Sequence, residues 1–360
     1  MSIITFGIIG GGWRAEFYLR IARALPDRFR VHAMLVRDQE KGRAIEAEWG
    51  VRTVRTIEQF TSEAERFGFA VLSVPRTAAP ELIRELAGRE VPVLAETPPA
   101  ADLEALAALY RSLPKAAKIQ VAEQYIYQPM HAARIQIARS GLLGDVSHVQ
   151  VSAAHDYHGI SLIRHLLGAG FEPAVISGQR FASTIMKGPD RQGDPKEEAL
   201  IGTDQQLATL RFGDKLAVYD FTRDQYFSWI RRSRILVRGS KGEIVDAQLS
   251  YLKRFDTPIH TELRRIDTGH NGNLEGYYHR GIAADGDWLY RNPVAPASLS
   301  DDEIAIATSL LNMGAYAAGS GPSFYSLAEA AQDHYLALMM GRAIETGQTV
   351  TAERQVWASE

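Results

Sequence analysis

A glycine-rich segment near the start of the chain constrains the fold more than any other feature. Gly10, Gly12 and Ala15 stand in a G-x-G-x-x-A spacing, directly after an apolar run and at the start of a helical pattern. The first glycine permits a tight turn, the second lets the backbone approach a pyrophosphate, and the small third residue lets helix and strand pack closely. Because the helix N-terminus also faces the anion, the spacing predicts a dinucleotide-binding loop.

The first 120 residues alternate short β-branched runs with longer amphipathic helical patterns. The predicted strands are Ile3–Ile9, Arg30–Val36, Phe69–Val74, Val91–Ala95 and Lys118–Ala122. The predicted helices between them are Glu40–Trp49, Ala78–Leu86 and Asp102–Leu113. Such alternation is typical of a mostly parallel sheet with helices on both faces.

The pattern changes after about residue 125. We expect a helix at Pro129–Ser140, a strand at Val146–Ala153 and a second helix at Ile160–Leu167. Two further helices are expected near the end of the sequence, at Asp301–Ala318 and Ser326–Thr346. Short runs between Val175 and Ile266, separated by turn signals, indicate an antiparallel sheet. Asp267–Ser300 has no clear period, and a stretch of that length predicts a functional or interface loop.

Composition narrows the function classes. The absence of cysteine excludes a disulfide framework, a thiolate metal site and a cysteine nucleophile. With 40 Lys and Arg against 43 Asp and Glu, no overall field favours nucleic acid or a membrane surface, so we expect a small-molecule partner. No apolar run reaches the roughly 18 residues of a membrane span, and no signal peptide is recognisable, which predicts a soluble cytoplasmic protein.

The end of the second predicted strand bears on which cofactor binds. An acidic residue there would hydrogen-bond the ribose 2′-hydroxyl of NAD, but the position holds Val36. Arg37 could pair with the 2′-phosphate of NADP or stack on adenine, or it could be a solvated residue at a strand end. Asp38 could still reach the ribose. We therefore expect NAD or NADP, with NADP slightly favoured.

Four segments together resemble the glucose–fructose oxidoreductase, inositol dehydrogenase and MocA (Gfo/Idh/MocA) family of nicotinamide-dependent sugar and polyol dehydrogenases. They are the glycine loop, Leu94–Pro99, Ser140–Val146 and Glu345–Val350. The resemblance implies an α/β fold with an N-terminal Rossmann NAD(P)-binding domain over residues 1–124. It also implies a substrate-binding and oligomerisation domain over residues 125–360, with a large, mostly antiparallel open sheet through which a homodimer or homotetramer forms.

The resemblance also implies an altered active site. Family members use the lysine of a Glu-Lys-Pro segment together with an aspartate and a histidine spaced D-x-x-x-H. At these positions the chain has Thr97, Ala154 and His158. We expect His158 to be the acid/base and Thr97 to hydrogen-bond the substrate, and we expect a cis Thr97–Pro98 bond. A purely structural histidine is the alternative.

Further candidates lie near these positions. Tyr125 is a possible proton donor and Tyr127 a possible substrate contact at the domain junction, although packing explains both equally well. His155, Asp156 and Tyr157 could replace the missing groups, but alternation along a strand predicts that they do not all face one site. The predicted cofactor contacts are Gly10, Gly12, Trp13, Arg14, Arg37, Val74, Pro75, Glu96 and Thr97. No spacing indicates a metal site.

Two function classes remain open. The first is an NAD(P)-dependent oxidoreductase acting on a hydroxyl or carbonyl of a sugar, polyol or glycoside, with redox-neutral use of a tightly held cofactor as a variant. The second is a non-catalytic regulatory protein of the same fold that binds the cofactor and a sugar as ligands. Fold alone does not decide between these two classes. The retained glycine loop and His158 favour the enzyme.

Overall fold

The computed structural model describes residues 3–358 and begins with a six-stranded parallel sheet. Its strands are β1 (Ile4–Ile9), β2 (Phe29–Leu35), β3 (Thr53–Val54), β4 (Phe69–Leu72), β5 (Val93–Ala95) and β6 (Ile119–Val121). Their order is β3-β2-β1-β4-β5-β6, the doubly wound Rossmann order. The chain changes direction between β1 and β4, so a ligand site is expected beyond the carboxyl ends of these strands.

Five helices connect the parallel strands. They are α1 (Trp13–Ala24), α2 (Gln39–Trp49), α3 (Ile57–Thr61), α4 (Ala79–Gly88) and α5 (Leu103–Ser112). The predicted strands and longer helices are confirmed to within about two residues, whereas β3 and α3 are too short to produce a periodic pattern. The Rossmann prediction is therefore confirmed.

A mixed, mostly antiparallel nine-stranded sheet follows. Its first strand, β7 (Val146–Ser152), lies in the chain between helices α6 (Pro129–Arg139) and α7 (Asp156–Leu167). The remaining strands are β8 (Ala174–Met186), β9 (Leu200–Phe212), β10 (Lys215–Phe221), β11 (Arg234–Gly239), β12 (Gly242–Val245), β13 (Gln248–Arg254), β14 (Thr257–Glu262) and, at the end of the chain, β18 (Val350–Ala352). The order is β14-β13-β12-β11-β7-β10-β9-β8-β18, with β7 and β10 parallel, which confirms the predicted fold class.

The predicted irregular loop at Asp267–Ser300 is wrong. Its first part belongs to a three-stranded antiparallel sheet of β15 (Arg264–His270), β16 (Asn273–Ala284) and β17 (Asp287–Arg291). Long stretches of these strands are exposed, and Leu274 is 92% exposed. Because an exposed strand does not need alternating apolar residues, the sequence pattern did not reveal it.

The two closing helices are confirmed as α8 (Asp301–Ala317) and α9 (Leu327–Thr346). Ser300 begins α8 with a capping box to Glu303. Buried Leu310 and Met313 of α8 share one core with the parallel sheet, so the N-terminal sheet takes part of its cover from the second half of the chain. The division near residue 125 stays a prediction. No helix within residues 3–358 is long and apolar enough to cross a membrane.

Candidate active site and cofactor loop

The glycine loop has the geometry that its spacing predicts. Gly10 has φ +113°, and a side chain there would overlap the carbonyl oxygen of Ser73, so both conformation and space require glycine. Gly12 precedes the first turn of α1, and a Cβ atom built on it meets no atom within 4 Å. The buried methyl group of Ala15 packs behind the turn. Open space in front of free N–H groups at a helix N-terminus fits a pyrophosphate.

Two predicted contacts flank this loop at the end of β4. A Cβ on Gly10 would lie 3.5 Å from Cγ1 of Val74, so Val74 borders the glycine turn. Pro75 follows and accepts a hydrogen bond from Ala78 N at 2.9 Å, turning the chain into α4. Val74 and Pro75 thus lie where a dinucleotide would cross the carboxyl ends of the strands.

The end of β2, where the sequence predicts that the ribose binds, carries positive charge. Val36 is buried, and the Asp38 carboxylate caps α2 by accepting from Lys41 N at 2.9 Å. Arg37 is exposed and makes no ion pair with the described residues. Lys41, which the sequence analysis missed, places its side chain 3.3 Å from where a Cβ of Gly11 would be. In the sequence, its position in the first turn of the helix that follows the second strand could have indicated a role near the ribose.

Arg14 and Glu96 hold the glycine loop to its surroundings. Arg14 Nη1 lies 3.2 Å from an Asp302 carboxylate oxygen, and Arg14 Nε lies 3.8 Å from Glu96 Oε2. The Tyr18 hydroxyl donates to Glu96 Oε1 at 2.5 Å. Burial raises the pKa of Glu96, and the Arg14 guanidinium opposes that rise. These two predicted cofactor residues therefore join α1, the end of β5 and the start of α8.

A buried carboxylate–histidine couple forms the centre of the site. His158 Nδ1 lies 2.6 Å from Glu123 Oε2, and both side chains are buried. The other Glu123 oxygen accepts from Tyr125 N at 3.0 Å. Burial raises the pKa of Glu123 to about 8 and, with a smaller effect of Arg14, lowers the pKa of His158 to about 3. Burial thus favours the uncharged form of each partner.

Glu123 was missed by the sequence analysis, which sought a carboxylate next to His158 in the chain. It stands 35 positions before the histidine, just after β6. A glutamate directly after the last predicted parallel strand was the signal that could have found it. The couple shows that the missing aspartate at position 154 does not leave His158 without an acidic partner.

Aromatic and imidazole rings surround His158. Ring centroids of Tyr157, Tyr125 and His155 lie 4.4, 4.6 and 5.1 Å from that of His158. Asp156 does not join them, in keeping with the expectation that the residues of this segment do not all face one site. The helix α7 begins at Asp156 rather than Ile160, so residues 155–158 form a helical entry instead of a strand end. Three predicted site residues therefore converge with Tyr125.

Asp156 takes a different position. It has φ +43°, its backbone N–H donates to the Tyr219 hydroxyl at 3.1 Å, and its carboxylate lies 3.7 Å from Arg223 Nη2. Its carboxylate is therefore directed to the antiparallel sheet rather than to the ring of His158. The prediction that Asp156 contacts substrate stays a prediction.

Tyr226 is a second residue that the sequence analysis missed. Its hydroxyl lies 2.5 Å from His155 Nδ1, 3.0 Å from His155 N and 3.4 Å from the Tyr125 hydroxyl. It ends a 3₁₀ turn after β10 that a capping box of Thr222 and Gln225 fixes. No local pattern distinguishes Tyr226, because its role depends on contacts with residues about 70 and 100 positions away.

Thr97 and Tyr127 complete the predicted set. The Thr97–Pro98 bond is cis, as predicted. Burial raises the pKa of Tyr157, and nearby Thr97 opposes that rise, which places the threonine beside the ring cluster. The Tyr127 hydroxyl donates a hydrogen bond to the Phe324 carbonyl oxygen, in the segment before α9, at 3.2 Å. The hydroxyl is therefore already engaged within the protein. Across the described chain, no group of three or more potential ligands is arranged to hold a metal ion.

Comparisons with known proteins agree with this geometry. Residues 4–125 match the Gfo/Idh/MocA model, described as an oxidoreductase family with an NAD-binding Rossmann fold. Residues 4–125 are therefore similar to the NAD-binding Rossmann domain of that oxidoreductase family. The match covers the glycine loop and every parallel strand, and it ends just after Glu123. A search of curated proteins gives no match.

Solved structures extend the likeness over the second sheet. A levoglucosan dehydrogenase in complex with NADH and L-sorbose is 15% identical, with a TM-score of 0.71 and coverage of 99% of this chain and 100% of that one. A putative myo-inositol dehydrogenase from Sinorhizobium meliloti is 19% identical, with a TM-score of 0.65 and coverage of 96% and 99%. The WlbA dehydrogenase from Chromobacterium violaceum, solved with NADH and UDP-GlcNAcA, is 14% identical, with a TM-score of 0.63 and coverage of 99% and 97%. At these identities the likeness shows the fold alone, and that fold spans both halves of the chain.

The raised pKa of Glu123 predicts how stability changes with pH. Between its ordinary value of 4.5 and about 8, the unfolded chain releases the carboxyl proton while the folded chain keeps it, so unfolding becomes easier as pH rises. From pH 6.5, the ordinary pKa of His158, to pH 8, we expect wild type to lose more unfolding free energy than Glu123→Gln, by up to about 1.4 kcal/mol per pH unit. Urea unfolding of both proteins measures this, and equal losses would contradict the assignment.

Proposed function

We propose that the chain is an NAD(P)-dependent oxidoreductase that oxidises a hydroxyl of a sugar, polyol or glycoside, or reduces the corresponding carbonyl. The observation that carries the proposal is the buried Glu123–His158 couple, whose 2.6 Å contact leaves Nε2 of the histidine without a partner among the described residues. The neighbours solved with NADH and a sugar or nucleotide sugar support the substrate class.

The cofactor fits one side of this site. The glycine loop, Trp13, Arg14, Val74 and Pro75 would hold the dinucleotide, and the bound nicotinamide would supply the hydride acceptor or donor. Arg14 contacts Glu96 at the end of β5, next to Thr97, which links the cofactor loop directly to the ring cluster. The proton that accompanies hydride transfer must be moved by side chains of the protein.

The couple can act as acid or as base. With two protons, Glu123 donates to Nδ1 of His158 and Nε2 carries a hydrogen that a substrate carbonyl oxygen can accept. With one proton, the Glu123 carboxylate accepts from Nδ1–H, and the free Nε2 lone pair can take the proton of a substrate hydroxyl. Because burial raises the pKa of Glu123 to about 8, the second proton leaves the couple near that pH.

The ring cluster supplies the hydrogen-bonding surface that a sugar needs. Thr97 replaces the family lysine as a neutral donor to the reacting oxygen, and the rings of Tyr125 and Tyr157 flank the ring of His158. His155 and Asp156 stand at the start of α7, where they could contact further hydroxyls, and Tyr127 lies at the junction. A neutral threonine does not add a positive charge to the site, so the proton transfer depends more on the couple than it would beside lysine.

Turnover tests this proposal. Purified protein is mixed with NAD⁺ or NADP⁺ and a panel of sugars, polyols and glycosides, and absorbance of the reduced nicotinamide is followed. We expect His158→Gln to lower kcat/KM by about 10²- to 10⁴-fold without changing dinucleotide affinity, because a positioned acid/base contributes that much. We also expect kcat/KM for oxidation to rise with pH through about 8.

His165→Gln is the matched control, because His165 is another histidine of α7 whose Nδ1 contacts the Ser161 carbonyl oxygen at 2.9 Å. It should keep the wild-type rate. If the protein binds a dinucleotide and a sugar but turns over no member of the panel, the oxidoreductase proposal is overturned in favour of the regulatory binding protein. Equal losses in the two variants would show that His158 has only a structural role.

Charge at the ribose end supports NADP as the preferred cofactor. With Val36 in place of a carboxylate and Asp38 engaged as a helix cap, Arg37 and Lys41 are the charged side chains available to a 2′-phosphate. We expect Arg37→Ala to weaken NADPH binding about tenfold and to leave NADH binding nearly unchanged, because only NADPH carries the 2′-phosphate. Calorimetric titration measures both constants. Arg43→Ala, one turn further along α2, is the control, and equal effects on both cofactors would contradict the preference.

A further inference from the structure

The connection between β8 and β9 contains a tight turn with one arginine at its tip. Asp190 and Gly193 exchange both backbone hydrogen bonds at 3.1 Å, and Gly193 has φ +111°. The Asp190 carboxylate accepts from Gln192 N at 2.7 Å. Arg191 is therefore at the apex of a turn whose backbone is fixed from within.

This turn reaches the glycine loop from the second half of the chain. The Arg191 guanidinium carbon lies 4.8 Å from the ring centroid of Trp13, the first residue of α1. The guanidinium carbon of Arg14 lies 4.9 Å from the same ring. Trp13 nevertheless remains 52% exposed, so its indole is an open platform beside the helix N-terminus.

The two arginines differ in how their charge is balanced. Arg14 faces Glu96 and Asp302. Arg191 makes no ion pair with any carboxylate among residues 3–358, although it lies near both another arginine and the positive end of α1. Burial, His158 and Arg223 lower the pKa of His155, and the charge of Arg191 makes a smaller contribution in the same direction, which Asp156 opposes. Arg191 therefore brings to the region between Trp13 and His155 a positive charge that has no ion-pair partner among the described residues.

We infer that Arg191 is a clamp that pairs with the pyrophosphate of the bound dinucleotide, with the Trp13 indole as its platform. A pyrophosphate at the N-terminus of α1 would supply the missing negative charge, and a guanidinium binds phosphate oxygens through two parallel hydrogen bonds. The inference rests on the dinucleotide binding of the proposed function but not on its chemistry. It assigns a cofactor contact to the second half of the chain, outside the Rossmann loop.

Calorimetric titration of NADH, NADPH and ADP-ribose tests the clamp without requiring turnover. We expect Arg191→Ala to weaken all three by about tenfold or more, because each carries the pyrophosphate. Arg191→Lys should recover part of the affinity through its charge alone. Added salt should reduce the difference between wild type and Arg191→Ala, as screening weakens an exposed ion pair.

Arg180→Ala is the matched control, because it removes an arginine from β8 that lies 3.8 Å from Asp204. It should bind all three ligands as wild type does. Wild-type affinities in Arg191→Ala would overturn the clamp, and a loss for NADH without one for ADP-ribose would place Arg191 on the nicotinamide half instead. A loss for all three ligands in a protein that oxidises no panel substrate would support the clamp and overturn the oxidoreductase proposal.

Discussion

The buried contact between Glu123 and His158 is the interaction on which the candidate site depends. It joins the last strand of the parallel sheet to the first turn of the helix that covers the second sheet, at 2.6 Å. Removing either partner would leave a buried polar group unsatisfied, which is costly in the protein interior. The couple therefore fixes the relative position of the two halves at the place where a substrate would meet the cofactor.

A second polar network fixes the cofactor side. Arg14 contacts Glu96 and Asp302, so a single guanidinium connects the glycine loop, the end of β5 and the N-terminus of α8. The packing of α8 on the parallel sheet explains how Asp302 reaches this position. Since Glu96 precedes Thr97 directly, the same network sets the threonine beside the ring cluster. An ion pair and the chain connection from Glu96 to Thr97 thus link the cofactor loop to the candidate catalytic residues.

Sequence reasoning succeeded where structure is local. The Rossmann strands and helices follow from periodicity, and the cis bond at Pro98 follows from family resemblance. It failed for Glu123 and Tyr226, because their partners are far away in the chain, and nothing in a local pattern encodes such pairing. It also failed for β15–β17, since exposed strands lack the alternation that burial imposes. The start of α7 was misjudged because Asp156 and His158 are polar, which hid the first helical turn.

We propose that His158, held by Glu123, presents Nε2 to the oxygen on the reacting carbon, beside the nicotinamide. A crystal structure of the protein with NADH or NADPH tests this most directly. The account predicts that the nicotinamide ring faces the cluster of His158, Tyr125 and Tyr157, separated from Nε2 by the width of one substrate oxygen and carbon, with the contact to Glu123 intact. A nicotinamide ring directed away from this cluster, or a His158 Nε2 covered by protein in the complex, would contradict it.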